Sequence, residues 1–336
     1  MEWFTRFVLL SMVSGILGCA SVPRPLAEFC SLLPETEKPG VDQKKPAESA
    51  HDRHRIAKAN AVYAILSNNV YQPTHSSRIP LPGTWGDLCD ADRRTDEECP
   101  AYRGGAGFEA KTYLNSPVAG STNAPTEIVF AFRGTTSLAD WWCGNIWDCQ
   151  YPKADQYVLD MLTKIRAKYP NIFGLDGRPT VPVVATGHSL GGGLAQHIAY
   201  CFDDFHIAAV VFNTSPRSHK RDCQRPDHRA PSAEQIDSVR RSRITRIHQH
   251  HEILSPLRAL VSSPDYQDTR YYFSHGGWFS RHSITALSMG LTKLAACPVG
   301  LDGSRSDPDE RAQDVYAKSC QDVPRQYQCV APANPK

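Results

Sequence analysis

The chain has 336 residues, 41% of them hydrophobic, which is enough for one large α/β domain or for two small ones. We expect a single domain with loop insertions. Its 37 basic residues nearly balance its 35 acidic residues, which excludes the basic surface typical of a nucleic-acid-binding protein. Partners and activity must therefore be inferred from local motifs.

The first 18 residues have the features of an export signal. Arg6 precedes an apolar run from Phe7 to Gly18, which is shorter than the roughly 20 residues of a membrane-spanning helix. The run ends in Ile16-Leu17-Gly18-Cys19, which resembles a bacterial lipobox. We therefore expect a lipoprotein signal peptide over 1–18, a lipid anchor on Cys19 and a location on the periplasmic side of the envelope, at the outer membrane. Cleavage as an ordinary signal peptide is the alternative.

The cysteine count agrees with export. The chain has 11 cysteines, and setting Cys19 aside leaves an even number, which in an oxidising compartment predicts disulfides. No tight C-x-x-C pair is present, so the cysteines do not indicate a metal site. Sequence does not fix the connectivity, but proximity favours Cys89 with Cys99, Cys143 with Cys149, Cys201 with Cys223 and Cys320 with Cys329, leaving Cys30 with Cys297.

Composition divides the chain after the export signal into three parts. Residues 19–50, rich in Pro, Lys and Glu, are predicted to form a tether behind the lipid anchor. Residues 51–297 carry the apolar periodicity of a folded domain, interrupted near 73–105 by a segment dense in Pro, Gly and charge. We interpret that segment as a surface insertion stapled by a disulfide. The remaining residues, 298–336, form a polar tail.

Within the domain, helical and strand patterns alternate. This order predicts an α/β fold with a mostly parallel sheet covered by helices on both faces. The predicted helices span 51–68, 154–169, 194–202 and 284–294, and the predicted strands span 107–114, 127–132, 181–186, 207–212 and 243–248.

One turn carries a clear chemical signal. Gly187-His188-Ser189-Leu190-Gly191 lies between a predicted strand and a predicted helix. A serine hydroxyl is a weak nucleophile that needs a neighbouring base and a sharp turn to lift it clear of the backbone. Gly187 and Gly191 stand two positions on either side of Ser189, where such a turn leaves no room for larger side chains. The pattern predicts the nucleophile elbow of an α/β-hydrolase.

Two segments extend this resemblance to a family. Residues 129–136, Val-Phe-Ala-Phe-Arg-Gly-Thr-Thr, are followed by Asp140-Trp141, and residues 184–192 contain the elbow. Together they resemble the class 3, or fungal-type, lipases of the α/β-hydrolase superfamily, over roughly 57–294. The resemblance implies an α/β-hydrolase fold and a serine esterase or lipase activity.

The oxyanion hole follows from the elbow and from this resemblance. The backbone N–H of Leu190, directly after the nucleophile, is one expected donor. The family's second donor corresponds here to Thr135, for which the alternative is an ordinary turn residue. Trp141, Trp142 and Trp147 fall where the family has its lid, although core packing would explain them equally well.

The remaining catalytic groups are expected in the order acid, then histidine. His282, directly before the last predicted helix, stands in the family's histidine position, and His275 is the alternative. In the acid position the family usually has Asp, whereas this chain has Glu252. Asp265 and Asp268, in the following stretch, are the alternatives.

Neighbouring histidines do not change this interpretation. His248, His250 and His251 adjoin Glu252, but no helix is indicated to bring them onto one face, so we predict no metal site there.

The sequence thus predicts a lipoprotein that hydrolyses carboxylic esters of lipids through an acyl-enzyme on Ser189, without cofactor or metal. Acyl transfer to an alcohol other than water is one alternative. A non-catalytic envelope lipoprotein that uses the fold for binding is another. Neither the ester substrate nor a protein partner is identified by the sequence, and no nucleic-acid partner is expected.

Overall fold

A seven-stranded mixed sheet forms the centre of the computed structural model. The strands lie side by side in chain order; β1–β3 pair antiparallel and β3–β7 pair parallel. They are β1 (Trp85–Asp87), β2 (Ala110–Asn115), β3 (Glu127–Phe132), β4 (Val183–His188), β5 (Ala208–Phe212), β6 (Ile244–Gln249) and β7 (Asp268–Tyr271). The structure describes residues 50–71, 78–88, 107–117, 124–134, 150–220, 222–223, 231–261, 268–271 and 277–296.

Helices cover both faces of the sheet. One apolar cluster joins α1 and α7 to the sheet, and a second joins α2 and α3 to the opposite face. The helices are α1 (Ala50–Asn69), α2 (Tyr151–Lys168), α3 (Leu190–Cys201), α4 (Ala233–Ser242), α5 (Ser255–Val261), α6 (Trp278–Arg281) and α7 (Ile284–Ala296). The predicted α/β class, with a mostly parallel sheet between helical layers, is confirmed.

Strand β3 shows why the sheet lies between two helical layers. Phe130 and Phe132 belong to the cluster with α2 and α3, whereas Val129 and Ala131 belong to the cluster with α1 and α7. Successive side chains of a strand point to opposite faces, so a strand buried on both sides has apolar residues at consecutive positions. The run Ile-Val-Phe-Ala-Phe therefore specifies a central strand.

Several predicted boundaries were wrong for local reasons. Helix α2 begins at Tyr151 because Pro152, in the first helical turn, starts a helix without losing an intrahelical hydrogen bond. Helix α3 begins directly after Ser189, so the three glycines 191–193 lie inside it. Part of the predicted surface insertion instead belongs to the body: Trp85–Asp87 forms an edge strand and Ile79 is buried.

One predicted disulfide lies within the described residues. Cys201, at the end of α3, is bonded to Cys223, which confirms that pair. Four predicted features lie outside the described residues: the signal segment with Cys19, the tether up to residue 49, the 298–336 tail and the other four predicted disulfides. The last residue of the predicted tether, Ala50, begins α1. Within the part of the chain that the structure describes, no helix is both long enough and apolar enough to cross a membrane.

Candidate active site

The turn between β4 and α3 places Ser189 in a strained conformation. Its φ of 57° lies in the left-handed region, which side-chain-bearing residues seldom adopt. Such strain persists where the surroundings fix it, and it is common at functional sites. A Cβ on Gly187 would overlap the carbonyl of Gly191, and one on Gly191 would overlap the carbonyl of Phe132. Glycine is therefore required at both positions, as the sequence predicts for an elbow.

Backbone hydrogen bonds hold this turn. The N–H of Ser189 donates to the carbonyl of Phe212, 3.1 Å away. The carbonyl of Ser189 accepts from the N–H groups of Gly192, Gly193 and Ser215 at 2.9–3.3 Å. Leu190 is the first residue of α3, and the N–H groups of a first helical turn have no partner within the helix. The N–H of Leu190 is therefore one of the N–H groups at the start of α3 that have no partner within the helix.

The predicted acid, Glu252, lies buried in the turn after β6, with 1% of its surface exposed. Its Oε2 accepts a hydrogen bond from Nδ1 of His282 at 2.5 Å and one from the N–H of Leu254 at 3.0 Å. Its Oε1 pairs with the guanidinium of Arg258. The same guanidinium donates from Nη1 to the carbonyl of Thr214 at 2.9 Å. Both carboxylate oxygens of Glu252 are thereby held in place.

These contacts keep Glu252 ionised although it is buried. Burial alone raises the pKa of a carboxyl group, but the hydrogen bond from His282 and the charge of Arg258 outweigh it. The pKa of Glu252 is lowered from 4.5 to about 2. A carboxylate in this state accepts the Nδ1 proton of an imidazole and stabilises the ring when it becomes positively charged.

His282 lies between α6 and α7, and its backbone N–H donates to the carbonyl of Phe279 at 3.0 Å. The centroid of its ring lies 4.6 Å from that of His188. His188 is the residue directly before Ser189 in the chain. The His282 side chain is 19% exposed, whereas the Glu252 side chain is fully buried. The structure thus brings a partly accessible histidine into contact with a buried carboxylate, and the residue before the strained Ser189 packs against that histidine.

Other predicted residues are placed as follows. Asp268 begins β7, and β6 ends at Gln249, so His250 lies in the following turn rather than on a strand with His248. The predicted oxyanion threonine, the aspartate and tryptophans that follow it, and two alternative catalytic residues lie outside the described residues: Thr135, Asp140, Trp141, Trp142, Trp147, Asp265 and His275. Among the predicted histidine and acid residues, the structure places His282 and Glu252 in hydrogen-bond contact.

A comparison with known families identifies the domain. The family model described as a Tle-like phospholipase domain matches residues 62–262, more than half of the chain. The chain belongs to this phospholipase-like family. Membership supports a lipase- or phospholipase-type enzyme acting on lipid esters, the broader part of the sequence prediction. The matched range of the phospholipase-like domain contains Ser189 and Glu252, and His282 follows it. None of the curated proteins matches the chain.

One group of side chains in the phospholipase-like domain has the composition of a metal site. Asp155, His197 and Cys201 are buried with their ligand atoms within 4.8 Å of one another. Cys201 is bonded to Cys223, however, and metals bind the thiolate form of cysteine rather than a disulfide sulfur. Nε2 of His197 lies 3.0 Å from Oδ1 of Asp155, so these two residues already form a buried pair.

Sequence reasoning missed three residues around the site. Arg258 holds Glu252, and Tyr71 and His188 form hydrogen bonds that reach the backbone of His282. His188 is part of the elbow motif, so its position beside the nucleophile was a usable signal. Arg258 and Tyr71 meet the site only through the fold, because no local spacing connects them to the motif.

Proposed function

We propose that the chain is a serine hydrolase of the α/β-hydrolase superfamily that cleaves carboxylic esters of phospholipids through an acyl-enzyme on Ser189. The observation that carries this proposal is the 2.5 Å hydrogen bond between His282 and Glu252. The ring of His188, the residue before the serine held at positive φ, lies 4.6 Å from the ring of His282. Family membership supports lipid esters as the substrate class. The resemblance of the 129–136 and 184–192 segments to class 3 lipases supports serine catalysis.

In the proposed reaction His282 takes the hydroxyl proton of Ser189 as the serine oxygen attacks the ester carbonyl carbon. The carbonyl oxygen becomes negatively charged, and the N–H of Leu190 together with Thr135 would stabilise it. The C–O bond to the leaving alcohol then breaks, and His282 returns the proton to that alcohol. Water repeats the sequence on the acyl-enzyme and releases the fatty acid. Glu252 stabilises the charged imidazole in both halves.

Exposed aromatic side chains beside the histidine favour a lipid surface as the location of the substrate. Trp278 and Phe279, on α6, are 62% and 55% exposed, and α6 ends directly before His282. Leu257, in the helix that follows Glu252, is 38% exposed. Large apolar groups of this kind bind the boundary between lipid headgroups and acyl chains, so a bilayer docked on them would present its esters near the histidine.

The N-terminal segment extends the proposal to location. A lipid on Cys19 would anchor the domain to the envelope membrane through the 19–50 tether, on the periplasmic side. We expect Cys19→Ser to move the protein from the membrane fraction to the soluble fraction and to abolish incorporation of labelled fatty acid. A Cys19→Ser protein that remains in the membrane fraction and carries the label would contradict the anchor.

The decisive experiment combines probe labelling with product analysis. Wild-type protein should react with a fluorophosphonate probe and convert phosphatidylcholine vesicles to lysophospholipid and fatty acid. Ser189→Ala should lose both activities while remaining folded, because the serine forms the covalent intermediate. Ser242→Ala, which removes an exposed hydroxyl from the end of α4, is the matched control and should retain both.

Each other outcome contradicts the proposal in a specific way. Diacylglycerol or phosphatidic acid as product would mean cleavage of a phosphodiester bond instead. Transfer of the acyl group to an added alcohol in preference to water would identify an acyltransferase. Absence of labelling in the folded wild-type protein would favour a binding module, and undiminished turnover by Ser189→Ala would exclude the serine mechanism.

A further inference from the structure

Beyond the serine, histidine and acid, a line of hydrogen bonds runs beneath the site. The N–H of Gly134 donates to Oη of Tyr71 at 2.8 Å. Oη of Tyr71 lies 3.2 Å from Nδ1 of His188. Nε2 of His188 lies 2.6 Å from the backbone carbonyl oxygen of His282. Two side chains thus connect the end of β3 to the backbone of the proposed catalytic histidine.

The partners limit where the protons lie along this line. A carbonyl oxygen only accepts, so Nε2 of His188 must carry the proton that it shares with His282. In a neutral ring Nδ1 is then an acceptor. The hydroxyl of Tyr71 accepts from Gly134, and two acceptors of His188 lie within reach of its proton: Nδ1 at 3.2 Å and the carbonyl oxygen at 3.3 Å. Every polar atom in the series has a partner, which is the condition under which a buried network fixes one conformation.

The surroundings of His188 maintain that arrangement. His188 is buried, with 6% of its surface exposed, and burial together with the nearby His282 lowers its pKa well below 6.5. A neutral ring at ordinary pH keeps Nδ1 available as an acceptor. The ring of Tyr71 also meets that of His188 edge to face, with centroids 5.9 Å apart.

Both ends of the line lie at groups whose relative position matters for the proposed reaction. Gly134 directly precedes Thr135, the expected oxyanion donor, and a Cβ on Gly134 would lie 2.5 Å from the carbonyl oxygen of His188. The backbone of Gly134 is therefore packed tightly against the elbow. At the other end, the contact is to the backbone of His282, so it leaves the ring nitrogens of that residue to the acid and the substrate.

We propose that Tyr71 and His188 are positioning residues that set the distance between the backbone at Gly134 and that at His282. The proposal rests on the proposed function. Neither side chain needs to touch the substrate, because each acts through a backbone group at the edge of the site. Displacements of about 1 Å between reacting groups reduce turnover on the order of 100-fold, so loss of this line should lower kcat while substrate binding is kept.

The first test removes one hydroxyl. Tyr71→Phe keeps the ring but removes the group that accepts from Gly134 and donates to His188. We expect kcat on a soluble ester to fall about 10- to 100-fold, with KM within about twofold of wild type. Tyr157→Phe, which removes a buried hydroxyl bonded at 2.8 Å to Thr112, is the matched control for the loss of a buried phenol hydrogen bond. It should leave kcat unchanged.

The second test asks whether the two residues act as a unit. His188→Asn keeps an acceptor near Tyr71 but removes the donor to His282. If the line works as one connection, the double variant should lose no more activity than the worse single variant, whereas independent losses would multiply. If Tyr71 and His188 only stabilised the fold, their variants would have a lower melting temperature and less active enzyme. The kcat of each active site, counted by fluorophosphonate labelling, would then be unchanged.

Two results would overturn the proposal: kcat of Tyr71→Phe within twofold of wild type, or losses that multiply in the double variant. Should His188→Asn fail to fold, Tyr71→Phe alone still decides. Fluorophosphonate titration of active sites separates failure of the positioning proposal from failure of the proposed function. If the proposed function is wrong, the wild-type protein is not labelled or Ser189→Ala remains active, whatever the Tyr71 variant does.

Discussion

Among the residues that the structure describes, two carboxylate–histidine pairs with a buried acid differ in their surroundings. In one, Glu252 accepts from Nδ1 of His282 at 2.5 Å, and the ring of His282 packs against that of His188. In the other, Asp155 lies 3.0 Å from Nε2 of His197, between α2 and α3. The side chain of His197 is completely buried, whereas that of His282 is 19% exposed. The same two functional groups therefore occur once at an accessible site and once in the core.

The difference lies in the second ring nitrogen. Nδ1 of His197 is 3.0 Å from the carbonyl oxygen of His219, so both nitrogens of that ring have protein partners. In His282 the carboxylate engages Nδ1, and the opposite edge of the ring remains for a reacting group. An acid–histidine pair is thus a catalytic candidate only where one nitrogen is left for the nucleophile. Where both ring nitrogens have protein partners, as in His197, the pair links two helices of the core, α2 and α3.

The largest expected effect is on the accessible pair. Glu252→Gln removes the charge that stabilises the imidazolium, and we expect kcat to fall by about 10³- to 10⁴-fold with the fold retained. Steady-state kinetics on a soluble ester and circular dichroism test this. Asp268→Asn is the control, and it should be mild. Near-normal turnover in Glu252→Gln together with loss in Asp268→Asn would transfer the acid role to Asp268.

The same chemical change in the core pair should have the opposite consequence. Asp155→Asn removes the carboxylate that faces Nε2 of His197 in the core, and loss of one partner of a buried pair costs about 3 kcal/mol of unfolding free energy. We expect kcat to stay within about threefold of wild type. Urea unfolding and ester hydrolysis on the same preparation measure both. If turnover fell as far as in Glu252→Gln without loss of stability, the core pair would have a catalytic part.

The smallest effect concerns acid stability. The pKa of Glu252 is lowered to about 2 in the folded protein, so its ionisation stabilises the fold above the unfolded pKa of about 4.5, and this contribution is lost as pH falls toward 2. From pH 6 to pH 3 that loss is about 2 kcal/mol. Urea unfolding at the two pH values should therefore show a smaller decrease for Glu252→Gln than for wild type. Equal decreases would contradict the depressed pKa.

Local chemistry made half of the site predictable. Gly187, Ser189 and Gly191 sit in one short turn whose steric demands can be deduced from the residues themselves. His282 and Glu252 were predicted by their position in the family pattern, and the structure places them in contact across 30 residues of chain. Arg258 and Tyr71 could not be found in this way. Their roles depend on contacts that exist only after the sheet has brought distant loops together.

The fold was predictable to a similar extent. Strand β3 has its predicted bounds, because a run of apolar residues buried on both faces is unambiguous. Helix α4 was missed although Ser232 and Gln235 form a capping box at its start, since most of its residues are polar. Strand β7 was also missed: four residues at the edge of the sheet, with the polar sequence Asp-Thr-Arg-Tyr, give little periodic signal.

The sequential strand order has a consequence for synthesis. Because the strands lie in the sheet in chain order, each strand that leaves the ribosome can pair with the one made before it, and the turn after β4 with Ser189 is synthesised before the turn after β6 and the α6–α7 junction. A nascent or truncated chain that ends before Glu252 carries the proposed nucleophile but neither its base nor its acid. On the proposed mechanism such fragments would not hydrolyse lipid esters.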